Sequence, residues 1–164
     1  PAIYATREVY KKLGKDPNRY RPSTEALCRR ILKGQELYRI NTLVDLINLV
    51  SLKTGYSIGG FDAGKIVRNL RLGVGKAGER FEAIGRGLLN IEGLPVYRDA
   101  AGGIGTPTSD EERTKITAGT SHLLIIINGY SGRDGLQEAA AYAARLLVKY
   151  ADARNMETRF FSAF

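Results

Sequence analysis

The sequence predicts an α+β fold in which twisted sheet layers are flanked by helices. Three observations predict it. Apolar residues recur at helical spacing in three segments before residue 54, and glycine is then dense from 55 to 105 with short alternating stretches between. The continuous apolar run Leu123 to Ile127, closed by Asn128-Gly129, precedes a long alanine-rich helical stripe.

Taken in order, residues 5–13 and 22–33 read as two short helices joined across Gly14 to Pro22, with Ser23 or Thr24 and Glu25 supplying capping chemistry at the second. The third helix spans 42–53, carries Leu43, Ile47 and Val50 at helical spacing, starts from Asn41 as N-cap and ends near Gly55. Val67 to Val74 and Arg80 to Ile84 alternate as strands do. Leu123 to Ile127 reads as a strand buried on both faces. From Leu136 a helix resumes, with Leu136, Ala139, Ala140, Ala143, Leu146, Leu147 and Tyr150 on one stripe whose alanines suit close packing on a sheet. With 164 residues, 43% of them hydrophobic, and neither an internal repeat nor a dividing linker, residues 1–164 are expected to form a single domain. Residues 1–40 form its basic helical lead-in. The first residue is Pro1 rather than a methionine, which leaves room for a processed protein or for more chain upstream.

Composition narrows the function classes. Cys28 is the single cysteine, so there is no internal disulfide framework; with Leu27, Ile31 and Leu32 it falls on the apolar side of its helix, as a reduced core thiol would. No signal-peptide pattern opens the chain and no apolar run approaches the ~20 residues that cross a bilayer, so a cytoplasmic protein with no membrane association is expected. One histidine and one cysteine cannot build the usual zinc sets, and no carboxylates have calcium-loop spacing. No metal and no cofactor is expected. His122 is the default general base near neutral pH, and it stands at the mouth of the Leu123 to Ile127 strand.

The formal charge of +8 is concentrated at one end, with residues 1–40 at +6 and the remainder at +2. Lys11, Lys12, Lys15, Arg19, Arg21, Arg29 and Arg30 are interleaved with Tyr10 and Tyr20, a mixture suited to neutralising phosphates and stacking on unpaired bases. The plainer alternative is a solvated helical face with half-buried tyrosines. Two glycine motifs invite nucleotide chemistry and fail on context. Gly73-Val-Gly75-Lys-Ala-Gly78 is followed by alternation rather than by a helix, so it reads as a strand turn. Gly59-Gly-Phe-Asp-Ala-Gly64-Lys65 has Ile66 where a phosphate-binding loop needs a hydroxyl, although Gly59 and Gly60 could still admit a ligand close to the backbone.

Two polar features remain. Asn41, Asp45 and Asn48 recur at i, i+4 and i+7 along an otherwise apolar helix, and either pin neighbouring backbone or face a ligand. The stretch Ala101-Gly-Gly-Ile-Gly-Thr106-Pro-Thr108-Ser109-Asp110 places three hydroxyls among exposed amides. It reads as a polar grip, or as a plain loop in which Ser109 or Asp110 caps the next element.

The unit I-N-T-L-V-D-L-I-N-L-V-S-L-K-T-G-Y-S-I-G-G-F-D, Ile40 to Asp62, resembles the editing domain of the phenylalanyl-tRNA synthetase β subunit. The shared positions are Asn41, Val44, Asp45, Asn48, Val50, Leu52, Gly55, Phe61 and Asp62, continuing through Gly78-Glu79-Arg80 and Ala101-Gly102, so the resemblance spans most of residues 40–120. The segments before 40 and after 134 look more like free-standing relatives of that domain. The resemblance implies a three-layer β-β-α sandwich, flanked here by the N-terminal helices and a C-terminal helix. It also implies a protein that receives the 3′ end of a mischarged tRNA and hydrolyses its aminoacyl ester, here in trans. Nothing of the aminoacylation module is present. Asn48 matches a pocket residue of the family; Ile47 replaces its threonine neighbour, Gly59 stands at the pocket histidine, and the pocket glutamate falls near Thr108. These departures separate the chain from a tyrosine-specific pocket.

On this reading Asn48, Thr108 and Ser109 position water and the amino acid as catalytic residues. Asn41, Asp45, Gly59, Gly60, Ala101, Gly102 and Thr106 bind substrate, the amides around Gly59, Gly60 and Gly102 holding the ester carbonyl while Asp45 braces the helix. Lys11, Lys12, Arg19, Arg21, Arg29 and Arg30 meet the tRNA backbone. Two alternatives stand beside it: a non-catalytic RNA-binding module of the same fold, and a pocket for a free small molecule such as an amino acid.

Overall fold

A computed structural model describes residues 1–162. Among them four α-helices and seven strands come in the order α1 (Ala2–Lys12), α2 (Ser23–Leu32), α3 (Thr42–Thr54), β1 (Ser57–Asp62), β2 (Arg71–Val74), β3 (Glu82–Ala83), β4 (Gly87–Leu88), β5 (Pro95–Asp99), β6 (Gly102–Gly105), β7 (Leu123–Asn128) and α4 (Asp134–Ala151). The expected α+β class and the β-β-α layering hold. Helices α3 and α4 form one layer, the antiparallel pair β1–β7 the next, and the antiparallel sheet β2-β5-β6 the third. A small antiparallel hairpin, β3–β4, stands beside them.

The core divides accordingly. Ile47 and Val50 of α3, Ala139 and Ala143 of α4 and Ile58 of β1 pack together with Ala2, Tyr56 and Ile116, while Phe81, Ala83, Ile91, Leu94 and Val96 form a second cluster around Tyr10. Strand alternation decides which residue goes where. Ile58 and Gly60 face the helices, and Gly59 and Phe61 face the opposite sheet. The two sheet layers are tied by Tyr97, whose hydroxyl donates to Asn128 Oδ1 at 2.7 Å; burial pushes that phenol up to about 12.

Several expectations are corrected. β7 is half-buried along most of its length rather than covered on both faces, because β1 is its only strand neighbour among the described residues. The apolar side read onto α2 is turned outward: Ile31 and Leu32 are exposed and Cys28 is only half-buried, while Thr24 and Glu25 are buried. The reason is polar docking. Thr24 Oγ1 donates to Ser51 O at 3.0 Å, and the Glu25 carboxylate accepts from Arg7 at 2.8 Å and from Arg29 Nε at 3.1 Å. Tyr150, placed on the α4 stripe, is exposed, while Ala139, Ala143 and Leu147 are buried, with α3 as the principal helix against α4. Val67 to Leu70 lie outside β2, and β3 keeps only Glu82 and Ala83 of the alternating stretch.

Tyr10 is fully buried and Lys15 nearly so, which removes both from any nucleic-acid surface. Lys15 Nζ donates to Asn90 O at 2.9 Å and lies 3.7 Å from the centre of the Tyr20 ring. Neither glycine motif forms a nucleotide loop. A Cβ on Gly75 would fall 1.8 Å from Ile91 O, so this glycine permits two backbones to touch, and Gly59–Asp62 belong to β1 itself.

Candidate functional site

A cleft of about 330 Å³ opens between α2, α3 and the segment after β6. One wall is built by α2. Its helical spacing brings Ala26, Leu27, Arg29, Arg30 and Lys33 to the same opening, and Arg21 and Ser23 enter from its N-terminal end. Gln35 and Tyr38 come from the linker to α3, Asn48 from α3, Thr108 from the floor and Arg86 from the β3–β4 turn. Among the described residues, five cations line it and no acid does.

Those cations differ in what already neutralises them. Glu25 lies 3.1 Å from Arg29 and 3.5 Å from Arg21, whose buried Nε has no hydrogen bond among the described residues. Within the same residues, Arg30, Lys33 and Arg86 have no carboxylate within salt-bridge distance. Arg30 stacks its guanidinium 4.0 Å from the centre of the Tyr38 ring, and that tyrosine is 67% exposed. A cation beside an open aromatic face in a positively charged groove suits a phosphate attached to a base.

The polar row on α3 splits by role. Asn41 caps the helix, accepting from Val44 N at 2.9 Å, and Asp45 Oδ1 accepts from Ile40 N at 3.0 Å. Both are taken by backbone. Asn48 is half-buried at the cleft and its amide makes no hydrogen bond among the described residues, so it alone of the three faces open space with a free donor and acceptor.

The segment after β6 is more tightly built than a loose polar grip. Thr106 Oγ1 donates to Ser109 O and accepts from the amides of Thr108 and Ser109. Thr108 Oγ1 donates to Tyr20 O at 2.8 Å and receives the Tyr10 hydroxyl at 2.8 Å, so the hydroxyl of a residue that borders the cleft is already satisfied. Ser109 is half-buried, and its hydroxyl is unengaged among the described residues. The amides expected to hold an ester carbonyl are also occupied. Ala101 N and Gly102 N both donate to Asp99 Oδ1, at 2.9 and 3.2 Å, and Gly60 N donates to Asp110 Oδ2 at 3.3 Å. An oxyanion hole at these positions is therefore corrected: inward-facing carboxyl groups claim the donors first.

Burial by itself would raise Asp99. The fork of Arg113, at 2.8 and 2.9 Å, and the amides of Val67 and Ala101 outweigh it and hold the carboxyl at about 2. Asp110 is the opposite case. The residue as a whole is half-buried, but its carboxyl is turned inward between β1 and β6. Among the described residues no cation lies within salt-bridge distance and its one hydrogen bond comes from Gly60 N, so burial pushes it up to about 8.

Of the basic residues predicted from sequence, the structure brings Arg21, Arg29 and Arg30 together in the cleft. Lys11, paired with Glu8 at 2.7 Å, and Lys12 and Arg19 lie outside it on exposed surface. His122 is exposed, with Nδ1 3.1 Å from Ser121 Oγ, and is not part of this site. Lys33 and Tyr38 were legible as continuations of the basic, tyrosine-bearing run; Arg86 was not, because only the fold carries the β3–β4 turn to α2. No group of three His, Cys, Asp or Glu side chains among the described residues could hold a metal ion. No helix there is long and apolar enough to cross a membrane.

Comparison with known proteins bears on this arrangement. A search of curated proteins gives no match. Among solved structures, an N-terminal fragment of the phenylalanyl-tRNA synthetase β subunit from Pyrococcus horikoshii is similar at 19% identity and a TM-score of 0.58, over 66% of this chain and 40% of that one. That similarity concerns the fold, and this chain spans well under half of the fragment. The family model described as the B3/4 domain matches residues 5–152, nearly the whole of the elements described above. The chain belongs to the B3/4 domain family.

Proposed function

We propose that the cleft between α2 and α3 receives the 3′ end of an aminoacylated tRNA, and that the protein hydrolyses the aminoacyl ester in trans. The observation that carries the reading is the meeting, in one cleft, of three uncompensated cations, an open tyrosine ring and the free amide of Asn48. Arg30, Lys33 and Arg86 neutralise backbone phosphates, and Tyr38 stacks on an unpaired base. Asn48 orients the amino acid and the attacking water; Ser109, with its hydroxyl free among the described residues, follows Thr108 but lies outside the cleft lining. Thr108, with its hydroxyl satisfied, shapes the floor. The fold shared with a tRNA synthetase fragment and membership of the B3/4 family support an RNA-linked role. The cytoplasm is its proposed compartment.

Hydrolysis asks the site for a water and a polarised carbonyl, with assistance available from the vicinal ribose hydroxyl of the substrate. The test is deacylation of a panel of mischarged tRNAs by the purified protein, alongside Asn48→Ala. Turnover of one member, reduced in the variant while tRNA affinity is kept, is the expected result. Equal loss of turnover and affinity would remove Asn48 from the chemistry.

A second reading has an observation of its own. Because Ala101, Gly102 and Gly60 give their amides to carboxyl groups, the protein can act as an RNA-binding module without chemistry. Salt-sensitive tRNA binding with no turnover on the whole panel would select it. Stabilisation by a free amino acid in the absence of RNA would instead select a small-molecule pocket.

A further inference from the structure

The cleft is scaled for one nucleotide with its acyl group. Its volume of about 330 Å³ lies at the small end of the range for small-molecule pockets, roughly 300–1,000 Å³. It holds one base platform, Tyr38, with the Arg30 guanidinium 4.0 Å from the ring centre and 67% of the residue exposed. Arg30 is fixed where it stands: its carbonyl accepts from Gln35 N at 3.1 Å and its Nε donates to Glu36 O. The linker that carries Tyr38 is therefore bonded to the arginine that stacks on the ring, and platform and cation are held as one unit. Beside them, Lys33 and Arg86 also have no carboxylate within salt-bridge distance among the described residues.

What three such cations do for acyl transfer depends on where charge develops. In hydrolysis of a tRNA ester, the phosphates of the RNA chain keep one negative charge each from start to finish. Cations beside them hold ground state and transition state alike. The leaving-group charge goes instead to the ribose oxygen, which departs best when an acid protonates it. Among the described residues no carboxyl, imidazole or thiol lines the cleft. An acyl group joined to a nucleotide through the phosphate itself reverses this. When that anhydride is cleaved at the acyl carbon, the phosphate passes from one negative charge to two. Every cation near it then binds the transition state more tightly than the substrate, and the leaving group needs no acid.

We propose that the cleft also hydrolyses aminoacyl nucleotides, the mixed anhydrides of an amino acid with a nucleoside monophosphate. Tyr38 stacks on the base, Arg30, Lys33 and Arg86 surround the phosphate, and the free amide of Asn48 faces the acyl group. Water attacks the acyl carbon, and the bond from that carbon to the bridging oxygen breaks. The bridging oxygen leaves with its electron pair as part of the nucleoside monophosphate. One proton of the water stays on the new carboxyl group and the other passes to solvent, so anhydride and water become amino acid and nucleotide. The proposal rests on the reading of this cleft as a place where water meets an acyl group carried by a nucleotide, and adds a second carrier.

The test uses the full chain and chemically prepared alanyl, leucyl and tyrosyl adenylates, with release of AMP followed against spontaneous decay in heavy-oxygen water. Hydrolysis of at least one adenylate about tenfold or more above that decay is expected, with the label in the amino acid and none in AMP. Lys33→Ala and Arg86→Ala, both at exposed positions, should each lower kcat on the adenylate by about tenfold or more. On mischarged tRNA the same substitutions should act on KM. Adenylates that decay at the spontaneous rate, beside a mischarged tRNA that is turned over, overturn the proposal alone. Label in AMP, or an unchanged kcat in both variants, also overturns it. Turnover of an adenylate with no tRNA turned over upholds the proposal and removes the ester reading, and absence of turnover on both classes overturns the two together.

Discussion

The Tyr10 hydroxyl meets Thr108 Oγ1 at 2.8 Å across 98 positions of sequence, and this bond locks the first helix to the floor of the cleft. Both residues are buried, and burial raises the phenol far above its ordinary range despite the hydrogen bond.

Tyr10→Phe keeps the ring and removes the bond. A loss of about 1 kcal/mol is expected, since Thr108 still donates to Tyr20 O and only its acceptor side is left bare. Urea unfolding measures it, and a change below a few tenths would show that the bond contributes no net stability.

Cleft and exposed cations should separate in a salt titration. Alanine at Arg30, Lys33 or Arg86 should weaken tRNA binding and lower the slope of log affinity against log salt by roughly 0.7–0.9 for each phosphate no longer neutralised. Lys11→Ala and Lys12→Ala should leave the slope nearly unchanged. The reverse pattern would move the RNA path onto α1.

Acid should find the Asp99–Arg113 pair. Asp99 titrates at about 2 in the folded chain against an ordinary 3.8, so its contribution is complete above pH ~4 and is lost as pH falls from there through the folded value. Arg113→Ala leaves a buried carboxylate without its cation and should cost about 3 kcal/mol at neutral pH. Denaturation midpoints at about pH 7 and about pH 2.5 give both numbers, and equal costs at the two pH values would refute the pairing.

Asp110 works with the opposite sign. Its folded value of about 8 lies above the ordinary 3.8, so between those values the unfolded chain loses the proton and the folded chain keeps it. Stability from this group is full below pH ~4 and declines as pH rises toward about 8, by at most about 1.4 kcal/mol per pH unit. D110N should flatten that decline in a comparison of unfolding free energies at about pH 5 and about pH 8.

Gly105→Ala probes the space around the Asp110 carboxyl. The added methyl meets Phe61 Cζ at 2.6 Å and Asp110 Oδ1 at 2.9 Å, and overpacking of this kind costs about 1–3 kcal/mol. A drop in melting temperature is expected, and pairing G105A with D110A should recover part of it if the carboxyl is one of the two obstacles.

The three N-terminal helices and α4 were legible because their side chains repeat with the helix period, and Asn41 announced its cap. Strand β1 was hidden by Gly59 and Gly60, and β6 by Gly102, Gly103 and Gly105; a glycine adds nothing to a period-two pattern, yet here it makes room for Phe61, Ile47 and Phe81. α2 misled because its buried face is polar, with Glu25 held by arginines and Thr24 by Ser51. Of the site, Asn48, Thr108 and three arginines could be read directly. Asp110 looked like a turn residue, since the partners that define it, Gly59, Gly60 and Gly105, come together only when β1 and β6 do.

The burial of Tyr10 also bears on where this protein can be cut. Tyr10 fills the cluster beneath the β2-β5-β6 sheet, Ala2 touches the one beneath α3 and α4, and Thr24 is bonded to Ser51. Trimming the chain to the segment that begins at residue 41 would not isolate a smaller unit with a detachable arm; it would strip a wall from both halves of the interior, and protease sites within α1 should open only when the whole molecule does.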